Sequence, residues 1–248
     1  MTSRATSQTS IQEVADRIYR INTPLTLPGG ASFSFNQYLL AADEPLLFHT
    51  GPKKLFAHVA EAIARVVPVE SLRYIGLSHY EADECGSLAE FLTAAPDAVA
   101  LCSQVAKMVS VDDVAPRPAR GMSDGEVLDL GGLAVRWLDA PHVPHGWECG
   151  FAMELNTATL LCGDLFTQPG PGTMAVTTAD VLEPSEAFRA EMDYYAHAPH
   201  TRATIERLAA ERPQLLACMH GSAWRGDGAA MLQALARSVC EQKVAAAA

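Results

Sequence analysis

The sequence predicts an α/β fold in which two β-sheets carry helices on their outer faces. Three observations lead there. Short runs that alternate apolar and polar residues fall in pairs, as hairpins do. Segments with helical spacing lie between the groups of hairpins. The composition, 49% hydrophobic and 19% charged over 248 residues, supports a substantial buried core. No repeat, long linker or composition break divides the chain. One domain is therefore expected over residues 13–248, behind a flexible polar N-terminal extension at residues 1–12.

In chain order, EVADRIYRINTP and SFSFNQYLLAADEPLLFHTG read as half-buried antiparallel strands between turn signals. PKKLFAHVAEAIARVV has apolar residues at helical spacing, and LRYIGLS is a short strand. GSLAEFLTAA reads as a helix with Ser87 at its N-cap and Glu90 three residues on, a capping-box pattern. The same order then recurs. EVLDLGGLAVRWLDAPH and FAMELNTATLLCGD read as hairpins, the second with an Asn-Thr turn. The stretch from Glu183 to Glu211 reads as mostly helical, QLLACMHG as a buried strand and GAAMLQALARSVCEQ as a final helix.

The formal charge of −11 argues against nucleic acid or an anionic membrane as partner. The opening MTSRATSQTS lacks the apolar segment of a secretion signal, and no apolar run approaches the ~18 residues of a membrane span. Six cysteines (Cys85, Cys102, Cys149, Cys162, Cys218, Cys240) are scattered without a CxxC pair. They read as reduced, mostly buried thiols of a cytoplasmic protein.

The chemistry gathers in LSHYEADECGSL, Leu77 to Leu88. His79, Glu81 and Asp83 are spaced by two, so in an extended segment their side chains point the same way. A polar loop facing water is the plain alternative on this segment alone. Three distant segments, LDAPHVPHG, LLCGDLF and LLACMHG, each place a histidine or aspartate directly after an apolar run. They add His142 (or His145), Asp164 and His220 to the candidates. Three imidazoles and three carboxylates exceed the needs of one catalytic zinc and suit two metals bridged by a carboxylate.

The order H-x-E-x-D, then H, D and H, resembles the metallo-β-lactamase superfamily, and within it the flavodiiron branch. SHYEADECGSL is similar to that branch's H-x-E-x-D-H-S-G-S-L signature, HVP to its second-histidine H-x-P, and MHGSAWR to its closing S-H-G-x-x-W-R. YYAHAPHTRATIERL is similar to the helix before the last histidine. The resemblance covers the chain from about residue 13. It implies an αββα four-layer sandwich, two mixed sheets flanked by helices, with metals at one edge. It also implies that His79, Glu81 and His142 hold one iron, that Asp83 and His220 hold the other, and that Asp164 bridges them. The H-x-P context selects His142 and leaves His145 beside the metals or exposed. Two irons with an oxo or hydroxo bridge are the expected cofactor, with zinc or manganese as substitutes. Glu81 stands where hydrolytic branches usually carry histidine, and an added carboxylate hardens the site in favour of a redox metal.

Two departures from the pattern matter. Glu84 replaces a histidine able to ligate the second metal. It either points away, with water in that position, or supplies a fourth carboxylate to the site. Flavodiiron enzymes also carry a flavodoxin-like domain after the metal domain, whereas no FMN site is expected in this chain. The expected ligand is O2 or NO. The expected role is either sensing and binding or reduction with an external flavoprotein or rubredoxin-like donor, and a signalling partner is the other partner expected. A zinc hydrolase acting on an ester, thioester or phosphoester is the alternative. Relatives pair head to tail, so a homodimer is expected. Among nearby aromatics, Tyr194 or Tyr195 could hydrogen-bond a bound gas. His49, His58, His197 and His200 read as surface or satisfied histidines.

Overall fold

The alternating stretches at the start of the chain form four antiparallel strands, β1 (Ser10–Ala15), β2 (Ile18–Thr26), β3 (Ser32–Leu40) and β4 (Leu46–Phe48). The computed structural model describes residues 9–27 and 29–246, with side chains through Glu241. Residues 1–8 of the expected extension lie outside that range. Ser10–Gln12 already belong to β1, where Ile11 pairs with Ile21, so the boundary expected at residue 12 moves to the start of the strand. β5 (Tyr74–Gly76), β6 (Val99–Ser103) and β7 (Arg120–Met122) then add to β4 in parallel, completing a seven-stranded mixed sheet.

The second sheet also has seven strands. The two expected hairpins are present as β8 (Val127–Asp129) with β9 (Ala134–Asp139) and β10 (Gly150–Glu154) with β11 (Thr159–Leu161). β11 continues in parallel to β13 (Leu215–Ala217), which pairs antiparallel with β14 (Ala223–Arg225), and β12 (Val176–Thr177) closes the edge. On the first sheet lie α1 (Phe56–Ile63), the short α2 (Ala82–Cys85) and α3 (Leu88–Ala94). A helical run follows from α4 (Gln104–Ala106) through a π-turn at Lys107–Val111 to α5 (Asp112–Val114). The second sheet carries α6 (Leu182–Glu191), α7 (Thr201–Ala210) and α8 (Gly228–Ala246).

Three hydrophobic clusters make the four layers. One packs Leu39, Leu47 and Ile75 of the first sheet against Val59 and Ile63 of α1 and Phe91 of α3. Another packs Phe151, Leu160 and Leu216 of the second sheet against Ile205 and Leu208 of α7 and Leu232 of α8. The third lies between the sheets, where Tyr38, Phe48 and Leu101 meet Trp137, Leu161 and Leu215. The expected αββα sandwich of two mixed sheets is therefore the observed fold.

Two local expectations change. Ser87 is the N-cap of α3, but its hydroxyl donates to the Pro52 carbonyl and Glu90 pairs with Lys53 at 2.8 Å, so no capping box forms. The stretch read as one helical segment from Glu183 to Glu211 is two helices, separated at 192–200. That interruption turns the Tyr194 carbonyl toward the sheet edge, where it accepts a hydrogen bond from His145.

Trp137 is 1% exposed in the inter-sheet core, with its indole N–H donated to Asp139. Trp137→Ala should lower unfolding stability by about 3–5 kcal/mol through the cavity it opens. Urea denaturation checks this; a loss within ~1 kcal/mol would mean the two sheets close over the gap.

Candidate metal centre

Four strand ends meet at one edge of the sandwich. The segment after β5 brings His79, Glu81, Asp83 and Glu84. The β9–β10 connection brings His145, the segment after β11 Asp164, and the turn after β13 His220. Two groups have ligand atoms within 4.8 Å of one another: His79, Glu81, His145 and Asp164, and then Asp83, Glu84 and His220. Asp164 touches both. Its Oδ2 lies 3.5 Å from His79 Nε2 and 3.7 Å from His145 Nε2, whereas its Oδ1 lies 3.3 Å from His220 Nε2. A carboxylate with one oxygen toward each group has the geometry of a bridge.

The run from His79 to Glu84 is extended only in its first half. Glu81 has φ −133 and ψ 161, and α2 begins at Ala82. The helical turn swings Asp83 and Glu84 away from Glu81 and toward His220, whose Nε2 is 3.6 Å from Asp83 Oδ2. One short peptide thus serves both groups. Glu84, the residue with two open readings, does not point to solvent: it is 0% exposed.

Of His142 and His145, the structure brings His145 into the cluster and leaves His142 outside it. The turn after β9 closes with the His142 N–H donated to the Gly146 carbonyl, and Val143 and Pro144 are buried inside it. His142 sits at the turn's outer corner with φ 62, its ring 5.8 Å from that of His200. His145 emerges on the inner side, its Nε2 3.0 Å from His79 Nε2 and 3.5 Å from Glu81 Oε2. A signal for it existed in the chain. His145 and His220 are both followed by glycine with positive φ, 58 at Gly146 and 82 at Gly221. A Cβ at Gly221 would lie 2.6 Å from Gln168, and one at Gly146 would lie 3.3 Å from His79 Cβ. The ligand-bearing turns need that close approach.

Hydrogen bonds fix the rings. His145 Nδ1–H donates to the Tyr194 carbonyl at 2.8 Å and His220 Nδ1–H to the Ser34 carbonyl at 2.9 Å. Carbonyls only accept, so each Nε2 faces the centre with its lone pair free for a cation. The turn that carries His220 is itself clamped from the first sheet. Tyr38 and Asn36 donate to the Cys218 carbonyl, Asn36 and Arg20 donate to the Gly221 carbonyl, and the Asn36 N–H donates to the Met219 carbonyl. This explains why β2 and β3 carry buried Arg20, Asn36 and Tyr38 among apolar neighbours.

The charges call for a cation. Both Glu84 oxygens are buried and find no hydrogen-bond partner among the described residues. Burial, then the Asp164 and Asp83 carboxylates, push the Glu84 carboxyl well above its ordinary value. Burial also pushes Asp164 up, but the His220 hydrogen bond and the surrounding histidines outweigh it and hold Asp164 far below the carboxylate range. The imidazoles of His145 and His79 pull Glu81 down to about 2. Burial opposes charge on His145 and His220, yet Glu81 for one and Asp164 for the other raise both rings. Orphaned buried carboxylate oxygens beside inward-facing imidazole nitrogens fit a pair of hard or borderline metal ions. Two nitrogens ~2.1 Å from one ion and at right angles would be about 3 Å apart. The His79–His145 separation matches that spacing.

A cavity of about 370 Å³ opens onto the carboxylates. Its walls are Leu27, Phe33, Thr167, Phe188, Met192 and Tyr194, and its floor is Glu81, Asp83, His145, Asp164 and His220. Phe33 packs on the His220 ring at 4.4 Å. Thr167 and Tyr194 both donate their hydroxyls to the Asp164 carbonyl. Of the two tyrosines left open by the sequence, Tyr194 lines the cavity and Tyr195 turns into the hydrophobic cluster under α7 and α8. The Cys85 thiol donates to the Glu81 carbonyl and is pushed up by burial to about 12, so it is an inert packed thiol. The six cysteines are free, five of them buried. Among the described residues no helix is long and apolar enough to cross a membrane. His58 and His200 are exposed and His197 pairs with Asp193, whereas His49 is buried directly behind His79.

A family model described as "ODP family beta lactamase" matches residues 33–221. Rubredoxin-oxygen oxidoreductase of Megalodesulfovibrio gigas is 27% identical over 204 residues, 78% of this chain and 50% of that protein. An anaerobic nitric oxide reductase flavorubredoxin of Salmonella arizonae is 24% identical over 205 residues, 78% of this chain and 42% of that protein. The chain thus spans about half or less of the length of these curated relatives. Among solved structures, rubredoxin oxygen:oxidoreductase from Desulfovibrio gigas superposes with a TM-score of 0.81 at 19% identity, covering 94% of this chain and 61% of that one. A 1–254 fragment of putative diflavin flavoprotein A 5 from Nostoc gives 0.81 at 18% identity, covering 98% and 99%. The fold is that of the flavodiiron β-lactamase-like domain, as the motifs implied.

Two outcomes follow from the geometry. His145→Ala should reduce bound Fe(II) or Co(II) by about one equivalent of two, and His142→Ala should leave binding within about twofold; metal analysis after desalting reads both. The raised His145 and His220 values give a pH dependence. In the metal-free protein their stabilisation is fully present below the ordinary 6.5 and is lost as pH rises through the raised values. Metal binding displaces those protons, so apparent Co(II) affinity should rise from about pH 5.5 to above neutrality with measurable proton release. A flat profile would remove both rings from the coordination.

Proposed function

The chain belongs to the ODP family of β-lactamase-fold proteins, and from that premise we propose that it binds O2 or NO at a carboxylate-bridged pair of iron ions. His79, Glu81 and His145 would hold one ion, Asp83, Glu84 and His220 the other, with Asp164 between them. Bound iron supplies electrons and Lewis acidity at the floor of the cavity. Around it, Asp164 fixes the spacing of the two halves, and the Nδ1–H bonds of His145 and His220 hold their Nε2 atoms inward. Phe33, Phe188, Leu27 and Met192 keep the approach apolar.

The observation that carries this reading is the cavity wall. It is mainly apolar, and among the described residues no lysine or arginine lines it. The hydroxyls of Thr167 and Tyr194 are already committed to the Asp164 carbonyl. Such a cavity suits a small uncharged molecule, and its wall adds no basic side chain to hold a phosphoester or carboxylate substrate. That counts against the hydrolytic alternative. The names of the relatives, an oxygen oxidoreductase and a nitric oxide reductase, support the same ligands.

Full reduction of O2 to water takes four electrons and two ferrous ions hold two. Turnover therefore requires an electron source besides the two irons, such as a flavoprotein or rubredoxin-like donor, and in its absence the site binds gas without turning it over.

Anaerobic loading with two equivalents of Fe(II), followed by air, should produce a visible charge-transfer band. If the band is long-lived the role is binding, and rapid O2 uptake with an added reductant indicates reduction. No spectral change and no O2 uptake, with ester turnover by the zinc-loaded protein, would overturn the proposal. Glu84→His removes one negative charge and should shift the reduction potential of the iron-loaded protein upward; an unchanged potential would place Glu84 outside the coordination.

A further inference from the structure

Three inward-facing histidines differ in what holds them. His145 and His220 hand their Nδ1 protons to backbone carbonyls, which can only accept. His79 instead faces a hydroxyl, Ser78 Oγ, at 2.9 Å. A hydroxyl both donates and accepts, so by itself it leaves the tautomer of His79 undecided. What decides it lies one step further back.

Ser78 Oγ is 2.9 Å from Nε2 of His49, and the Ser78 backbone N–H donates to that same Nε2 at 3.3 Å. A nitrogen that receives a backbone N–H carries a lone pair, so the His49 proton is on Nδ1. Nδ1 in turn faces Met219 Sδ at 3.1 Å, and a thioether sulfur only accepts. The directions then follow without freedom. His49 Nδ1–H donates to Met219, the Ser78 hydroxyl donates to His49 Nε2, and Ser78 Oγ accepts from His79 Nδ1–H. His79 Nε2 is left bare toward Glu81, His145 and Asp164.

All four residues are buried, with exposures of 1% for His49 and Ser78, 2% for His79 and 0% for Met219. His49 also holds φ 65, a conformation that non-glycine residues adopt at a cost. The arrangement links the two ligand-bearing segments, because Met219 directly precedes His220.

We propose that His49 and Ser78 are positioning residues that set the tautomer and orientation of His79 as an Nε2 metal ligand. The proposal rests on the two-metal reading for its consequence, but the proton order itself exists without metal. Neither residue touches the metal cavity. Loss of such support behind a metal-bound histidine costs about 10–100-fold in affinity.

The test has two arms. Nitrogen-15 spectra of the metal-free protein, labelled at histidine, should show the His49 proton on Nδ1, shielded from exchange, with a bare Nε2; a proton on Nε2 overturns the proposal outright. Co(II) titrations then compare wild type with Ser78→Ala, His49→Leu and His49→Gln, each checked for native unfolding behaviour. Gln offers an acceptor oxygen near the place of Nε2 and shares with Leu the same backbone constraint. Ser78→Ala and His49→Leu should weaken one of the two Co(II) sites by about 10–100-fold, and His49→Gln should recover to within about threefold of wild type. Equal binding by all four proteins, or equal loss in Gln and Leu variants, overturns the positioning role while the two-metal reading stands. If wild type itself binds no Co(II), the two-metal reading fails and the nitrogen spectra still decide the proton order.

Discussion

Four carboxylates and three imidazoles converge at one edge of the sandwich, with Glu84 and Asp164 inside the protein surface. Like charges at that spacing repel strongly in a medium less polar than water, and removal from water penalises each of them further. The imidazoles relieve part of this, holding Asp164 and Glu81 low. The buried oxygens of Glu84 still lack donors among the described residues. The other features of this edge, the bridging posture of Asp164, the inward Nε2 atoms and the raised histidines, are responses to that single electrostatic demand. Multivalent cations satisfy it directly.

The fold meets the demand by placing ligands at strand ends. Strands end where their hydrogen-bond ladders stop, and the released carbonyls need other donors. Around His220 those donors come from the opposite sheet, as Arg20, Asn36 and Tyr38. Around His79 the group in need of a partner is the Ser78 N–H, which donates, as the Ser78 hydroxyl does, to His49 Nε2. The inter-sheet core of Phe48, Trp137 and Leu215 holds the sheets in register, so two polar clamps on the first sheet can orient ligands carried by both. Packing sets the positions to within the tolerance of the sandwich, and hydrogen bonds supply the last increment.

Much of this was legible in the chain because the signals are local. Hairpin alternation gave the strand pairs from β1 to β4 and from β8 to β11, and a charged residue directly after an apolar run marked Asp164 and His220. Resemblance to a known signature ordered the ligands. The failures were tertiary. His142 follows its strand immediately and stands in an H-x-P context, but a tight turn sends it outward and His145 inward. Contacts made only in the folded chain distinguish them, His145 Nε2 lying 3.0 Å from His79 Nε2. The extended reading of H-x-E-x-D stops at Glu81 because α2 starts one residue later. β6 and β7 carry too few residues to show a period, five and three. His49 has no partner in sequence at all. Its partners lie 29 and 170 residues away, so only the folded chain reveals it.

Glu84, buried among the other acids, has a consequence for ligand choice on the two-iron reading. Glu81, Asp83, Glu84 and Asp164 together bring four negative charges, equal to the charge of two divalent ions. A centre already balanced by its own protein gains little from an incoming anion, which would add charge to a floor walled by Phe33, Phe188 and Leu27. A neutral diatomic pays no such penalty. It needs only an apolar approach and an open position on the ions. The same balance disfavours phosphoester binding, because a substrate dianion would meet four carboxylates and no basic side chain on the cavity wall. On that reading wall and floor would favour the same class of ligand by independent means, the wall through desolvation and the floor through charge.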